Sequence, residues 1–561
     1  MPSTRSKTTT VVDNYPTPPA RCSGVLLHIT SLPTKYGIGD VGPSALNFLE
    51  WLHKAGQTVW QFLPLNPHGH AGSPYGTPSA LAANPAIIAL DPLLEVGLLQ
   101  PSDIEELQGL PADHVDYDRV TPLKRRALRL ARDRFREGTI SNPVLSEWEE
   151  RLNKFVVAHG SAWLDDYALF TAIRDKEGKS WVEWPVDLRD RKSSALHKAR
   201  KDLEDDIDEH VFNQFLFSEQ WSLVRRRAKE LGVRLVGDIP IFVAHDSADV
   251  WSHRKMFKLD KDGKQIVQAG VPPDYFSATG QLWGNPVYDW DAIGKDGYKW
   301  WTLRFRRTLE LTDVIRIDHF RGFQAAWEVP AEDKTAQNGK WVEGPGAKVF
   351  RAVDKALGTR MPVIAEDLGL ITKEVHGLRD ELGYPGMKVL QFAWGGDGQY
   401  DPRNDHLPHN LKHHQCVYYT GTHDNNTVRG WAESASPAER RAVRQYLGRG
   451  SPGVTNGGET GAKRKRLDDE DQKDVKRDLS SQDTALEIVD SSSYDFIRLA
   501  LSSIADMAIF QLQDALDLGG DCRMNLPATA EGNWKWRADN GQLTEEIAQR
   551  LRELTQLYGR V

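Results

Sequence analysis

Short apolar runs rich in β-branched residues, each closing on a polar side chain, recur along the chain between stretches of helical periodicity. Gly24 to Ile29 and Thr58 to Leu65 come first. Arg234 to Asp238, Val314 to Asp318, Val363 to Glu366, Lys388 to Phe392 and Val417 to Thr420 follow, and a weaker run at Cys522 to Asn525 completes a set of eight. Eight strands alternating with helices, several ending in Asp, Glu or Asn, predict a (β/α)8 TIM barrel of the α/β class. In such a barrel the reactive residues stand at the strand C-termini and on the loops that follow.

A bare barrel takes about 250 residues, and the chain has 561, so the surplus lies in insertions around the C-terminal mouth. Residues 66–230, with helical patterns around Leu123 to Phe135 and Leu145 to Arg174, are expected as a helical subdomain. Residues 241–311 are rich in Gly, Pro, Tyr and Trp, the composition of loops that shape a binding site. Residues 1–20 read as a flexible tail and residues 21–561 as the barrel domain. Within it, residues 450–483 change character: 13 of the 17 residues from Lys463 to Leu479 are charged, which predicts a disordered surface loop. The chain closes on a helical run, Leu543 to Tyr558, and no C-terminal β-sandwich is expected.

Composition narrows the partners. With 71 basic and 79 acidic residues the net charge is -8, which draws the chain to neither nucleic acid nor anionic lipid. No apolar run approaches the roughly 18 residues of a membrane span. Cys22, Cys416 and Cys522 are far apart and form no disulfide or metal spacing, which suits a reducing compartment. The first twelve residues carry Arg5 and Lys7 among Ser and Thr but no apolar core of a secretory signal, so a soluble intracellular protein is expected. The 18 tryptophans add weight to carbohydrate, because flat rings pack on the C–H faces of sugars while the hydroxyls stay wet.

Gly37-Ile38-Gly39-Asp40-Val41-Gly42 spells the dinucleotide fingerprint between a strand and a helix, which makes an oxidoreductase a formal competitor. Ser31-Leu32-Pro33 separates the strand from the glycines, and Gln61-Phe62-Leu63 ends the second strand where a ribose-binding acid belongs. A tight loop at the barrel mouth accounts for the glycines instead. His406, His409, His413 and His414 raise the thought of a metal, but Pro408 interrupts any helix that would align them.

Three strand ends carry carboxylates. Asp318 closes an apolar strand in which Arg316 points to the same side, and a cation so placed favours an ionised nucleophile. Glu366 ends the strand of Pro362-Val363-Ile364-Ala365 and is the candidate proton donor. Two carboxyl groups on neighbouring strands of one rim can flank a glycosidic oxygen, and a gap of about 5–5.5 Å implies retention. Asp424 follows a third strand in Thr422-His423-Asp424-Asn425 and is the candidate stabiliser of positive charge at an anomeric carbon.

Together with Gly237-Asp238-Ile239-Pro240, the segments Arg316 to Gly322, Ala365 to Gly369 and Thr422 to Asn425 resemble the 4-α-glucanotransferases, also called amylomaltases or disproportionating enzymes. Gly72-Ser73-Pro74-Tyr75, Pro272 to Ser277, Gly280 to Pro286, Arg523 to Pro527 and Gly532-Asn533-Trp534 extend the likeness over nearly the whole chain from about Gly24. The resemblance implies transfer between α-1,4-glucans or maltooligosaccharides without metal or cofactor. It also implies that Arg316 orients the nucleophile and that Tyr75, Asp274, Trp283, Asn285, His423 and Asn525 contact sugar. Met524-Asn525-Leu526-Pro527-Ala528-Thr529 is closer to plastid members, which places the protein in the plastid stroma if the source is a photosynthetic eukaryote and in the cytoplasm otherwise. An α-amylase-type hydrolase and a silent glucan-binding scaffold are the competing readings.

Overall fold

The structure is a computed structural model that describes residues 21–138, 142–273, 277–395, 400–449 and 493–561. The tail at 1–20 and the charged stretch at 450–483 lie outside them.

Among the described residues twelve strands make two sheets. Eight of them are parallel: β1 (Cys22–Leu26), β2 (Val59–Gln61), β3 (Arg234–Pro240), β6 (Val314–Asp318), β9 (Val363–Ala365), β10 (Gly386–Val389), β11 (Cys416–Tyr419) and β12 (Met507–Gln511). They pair in the order β10-β11-β12-β1-β2-β3-β6-β9. Ala365 N donates to Pro385 O at 2.9 Å, so the two ends of the series meet and the sheet wraps into the predicted barrel. Covered on both faces, β1, β2, β9, β11 and β12 are buried at every residue, as the near-continuous apolar runs require.

The eighth strand is β12 and not the run Cys522 to Asn525. Met507-Ala508-Ile509-Phe510 is unbroken apolar sequence lying between β11 and β1, whereas Cys522 ends a single 3-10 turn, Gly520–Cys522, and Arg523 and Asn525 are only half-buried. The sixth strand also stops early: the chain leaves β10 at Val389 and turns through Leu390–Ala393.

Between β2 and β3 the chain is mainly helical, ending in the long helix Glu204–Glu230 that leads into β3. Segment 241–311 holds more regular structure than its Gly- and Pro-rich composition predicts. Its strands β4 (Val267–Val271) and β5 (Gln281–Pro286) join β7 (Ala325–Pro330) and β8 (Lys340–Glu343) in an antiparallel sheet of order β5-β4-β7-β8. Gly284, Asn285 and Pro286 are poor strand formers, and β5 is held as a strand through its pairing with β4, Gly270 beside Leu282 and Val271 beside Gln281. After β12 the described chain carries short helical turns and the helix Glu545–Leu557, which meets the helix Pro43–Lys54 through the Lys54–Glu545 ion pair.

The dinucleotide-like glycines have a packing explanation. A Cβ on Gly39 would sit 1.9 Å from Ile29 O, and Gly37 has φ +74°, so this turn after β1 admits little but glycine at both positions.

Candidate active site

β3, β6 and β9 deliver an acid, a cation and two further acids to one rim. The register sets Asp238 beside Arg316 and Pro240 beside Asp318, while Ile317 pairs with Ala365, so Asp318 and Glu366 each stand one residue beyond a paired rung on adjacent strands. Arg316 is buried. Its Nη1 donates to Asp238 Oδ1 and Oδ2 at 2.8 and 2.7 Å, and its Nη2 donates to Asp318 Oδ1 at 2.9 Å. Burial alone would lower the Arg316 pKa, but the charges of Asp238 and Asp318 outweigh it and hold the guanidinium protonated. Removing the cation strands Asp238 in the interior, so Arg316→Ala should lower stability by about 3–5 kcal/mol. A denaturation midpoint equal to that of the parent would contradict this arrangement.

Glu366 is held from both sides by backbone. His319 N donates to its Oε2 at 2.7 Å and Leu368 N to its Oε1 at 2.8 Å. His319 presents its amide from a left-handed conformation, φ 54°, which costs strain for a side chain of this size. Burial and the neighbouring charge of Asp318 push the Glu366 carboxyl up to about 8, against the lowering effects of Arg316 and the two amides. A carboxyl pushed up so far holds its proton at neutral pH. Burial likewise pushes the His319 imidazole down to about 4, so it is neutral.

The other side of the mouth is built from distant loops. Tyr75, after β2, donates its hydroxyl to Asp238 Oδ2 at 2.7 Å and lies 2.9 Å from His423 Nε2, with the two rings stacked at 5.3 Å. His423 Nε2 is 3.4 Å from Asp424 Oδ1, which also accepts from Asn525 Nδ2 at 2.6 Å. Asn425 folds the loop after β11 back on itself by accepting from Thr422 N and Oγ1 at 2.8 and 2.9 Å. Trp283 of β5 is 37 % exposed and sets its ring edge-to-face with His319 at 4.7 Å, leaving a large aromatic surface open beside the carboxylates.

The sequence matches the family profile described as 4-alpha-glucanotransferase over residues 27–543. The 4-alpha-glucanotransferase of Synechocystis is 45% identical over 96% of this chain and 98% of its own length. The chain belongs to the 4-alpha-glucanotransferase family. A chloroplastic/amyloplastic 4-alpha-glucanotransferase from Solanum tuberosum is 40% identical over 96% of this chain and 87% of its own. Among solved structures, an amylomaltase from Streptococcus agalactiae in complex with acarbose superposes with a TM-score of 0.83 at 32% identity, covering 96% of this chain and 99% of that one.

Within this glucanotransferase, Asp318, Glu366, Asp424, Arg316, His423, Tyr75, Trp283 and Asn525 gather at the barrel mouth. Asn525 arrives there on a loop after β12 and not at a strand end. Asn285 turns its amide nitrogen to Val243 O at 2.9 Å, fastening β5 to the chain after β3. Asp274 lies outside the described residues. The histidines around Pro408 go separate ways: His406 accepts from Val389 N, His409 meets Tyr446, and His414 meets Asp506. Two contributors escape the sequence-based set. Asp238, the acid that ends a strand in Gly237-Asp238-Ile239-Pro240, links Arg316 to Tyr75. His28, just after β1, is buried near His423 and is pushed down to about 3, first by burial and then by that neighbour; its only sequence signal is a polar residue near the end of the apolar run Gly24 to Ile29.

Proposed function

We propose that the chain is a retaining transglycosylase that moves α-1,4-glucan segments between maltooligosaccharides or starch-type glucans. Glu366 protonates the departing O4 as a carboxylate oxygen of Asp318 attacks C1, so the C1–O4 bond breaks and a glycosyl ester forms. The 4-hydroxyl of a second glucan then gives its proton to Glu366 and displaces Asp318 from C1, restoring the α configuration. Arg316 orients Asp318, and Asp424 stabilises positive charge at C1 with His423, Tyr75 and Asn525 around it. Trp283, Asp274 and Asn285 complete the sugar contacts assigned to the site.

The observation that carries this reading is Glu366, held by two backbone amides, one strand away from the ion-paired Asp318. Adjacent strands lie about 4.8 Å apart, which suits the gap of about 5–5.5 Å of retaining enzymes. Relatives named as transferases and the open aromatic surface of Trp283 favour a sugar over water as acceptor. No helix among the described residues is long and apolar enough to cross a membrane. Relatives from bacteria and from plastids fit residence in the stroma of a photosynthetic eukaryote or in the cytoplasm otherwise. Supplying 13C-glucose with unlabelled maltoheptaose tests the acceptor. Label should enter the reducing end of a series of oligosaccharides, and label confined to free glucose would overturn transfer.

A further inference from the structure

Three successive residues after the nucleophile fasten its loop to the loop after β9. His319 N donates to Glu366 Oε2 at 2.7 Å, Phe320 N to Glu366 O at 3.2 Å, and the Arg321 guanidinium to Leu370 O. The first two rungs are donated by backbone amides. The third is donated by a side chain, and is therefore the one that a substitution within 319–321 removes.

Arg321 is 9 % exposed, and its guanidinium carbon lies 3.8 Å from the ring centre of Trp341 on β8. Trp341 is itself set edge-on to Trp327 of β7 at 5.3 Å. A planar guanidinium stacked on an indole is fixed in orientation, so the antiparallel sheet dictates where its Nη1 points. The segment it reaches is short. Asp367 is anchored to β10 by accepting from Met387 N at 2.7 Å, but beyond it come Gly369, with φ +89°, and Leu370, 64 % exposed. Core packing does little to hold Leu370, yet Leu368, two residues before it, supplies the amide on Glu366 Oε1.

We propose that Arg321, clamped by Trp341, is a positioning residue: by holding the Leu370 carbonyl it keeps the Leu368 amide on the Glu366 carboxyl. This rests on Glu366 being the acid/base. The groups facing Glu366 are Asp318 and Arg316 from β6, the His319 amide, and the Leu368 amide from its own loop. A donor to the charged form lowers a carboxyl's pKa, so loss of the Leu368 amide leaves the proton on Glu366 to higher pH.

The test compares Arg321→Ala, Arg321→Lys and Trp341→Leu with the full-length parent, using maltotriose and α-maltosyl fluoride as donors. For Arg321→Ala, kcat on maltotriose should fall about ten- to a hundredfold, with KM changed far less. The alkaline limb of its kcat/KM profile should move up by about one pH unit. The fluoride donor, which needs no proton, should show a smaller defect. Trp341→Leu preserves every charge and should move the limb in the same direction, and it carries the test if Arg321→Ala does not fold. Unchanged kcat and limb in both variants would overturn the inference, as would a shift in Arg321→Ala with none in Trp341→Leu and Arg321→Lys, which marks a plain charge effect. A parent with no alkaline limb, or one that Glu366→Gln retains, sinks the Glu366 assignment itself.

Discussion

Asp318→Asn should leave a folded protein whose transfer activity is lower by about 10⁴-fold or more, because a covalent intermediate has no route without its nucleophile. The amide matches the carboxylate in size, and Arg316 keeps both bonds to Asp238, so the loss arises in chemistry and not in folding. The smaller Asp318→Ala adds a stereochemical readout. It opens space on the face opposite the leaving group, where azide can attack C1 of α-maltosyl fluoride, expel fluoride and leave a β-maltosyl azide. That product should accumulate with Asp318→Ala and not with the parent. Full transfer activity in Asp318→Asn would remove Asp318 from its role.

Glu366→Gln has the second largest expected effect and a different signature. Transfer from maltooligosaccharides should fall about 10²–10⁴-fold, while formation of the glycosyl enzyme from α-maltosyl fluoride should be nearly unaffected, since fluoride departs without a proton. In the parent, burial and the Asp318 charge push Glu366 up to about 8. The acid form is the active one for breaking a sugar linkage, so kcat/KM for maltooligosaccharides should decline as pH rises through about 8 and stay level for the fluoride donor. An equal loss with both donors would show that position 366 acts other than through its proton.

The barrel was legible because β3, β6, β9 and β11 are largely apolar runs with acids near their ends, and structural ion pairs alone give no reason for acids to recur at successive strand ends. β12 was not, since Met507-Ala508-Ile509-Phe510-Gln511 passes straight into the helical turn Leu512–Ala515 with no Gly or Pro to mark its end. The antiparallel sheet was hidden for a related reason: β5 is written in residues that prefer turns, and only its pairing with β4, itself backed by β7, makes it a strand. Within the site, Arg316 and Asp318 lie two residues apart and announce their pairing. The contact of Tyr75 with His423 joins residues 348 apart and exists only once the barrel has closed. Asp238 shows the same limit, being a strand-end acid whose importance comes from what it touches. Asn285 adds a bond that no spacing in the sequence shows, from its amide nitrogen to Val243 O.

The most direct test of the central claim, transfer of glucan segments with retention of linkage number, is to incubate the protein with maltotriose alone and count reducing ends while resolving products by length. Glucose and a ladder of longer maltooligosaccharides at a constant number of reducing ends are predicted. A steady rise in reducing ends with no product longer than maltotriose would contradict the account.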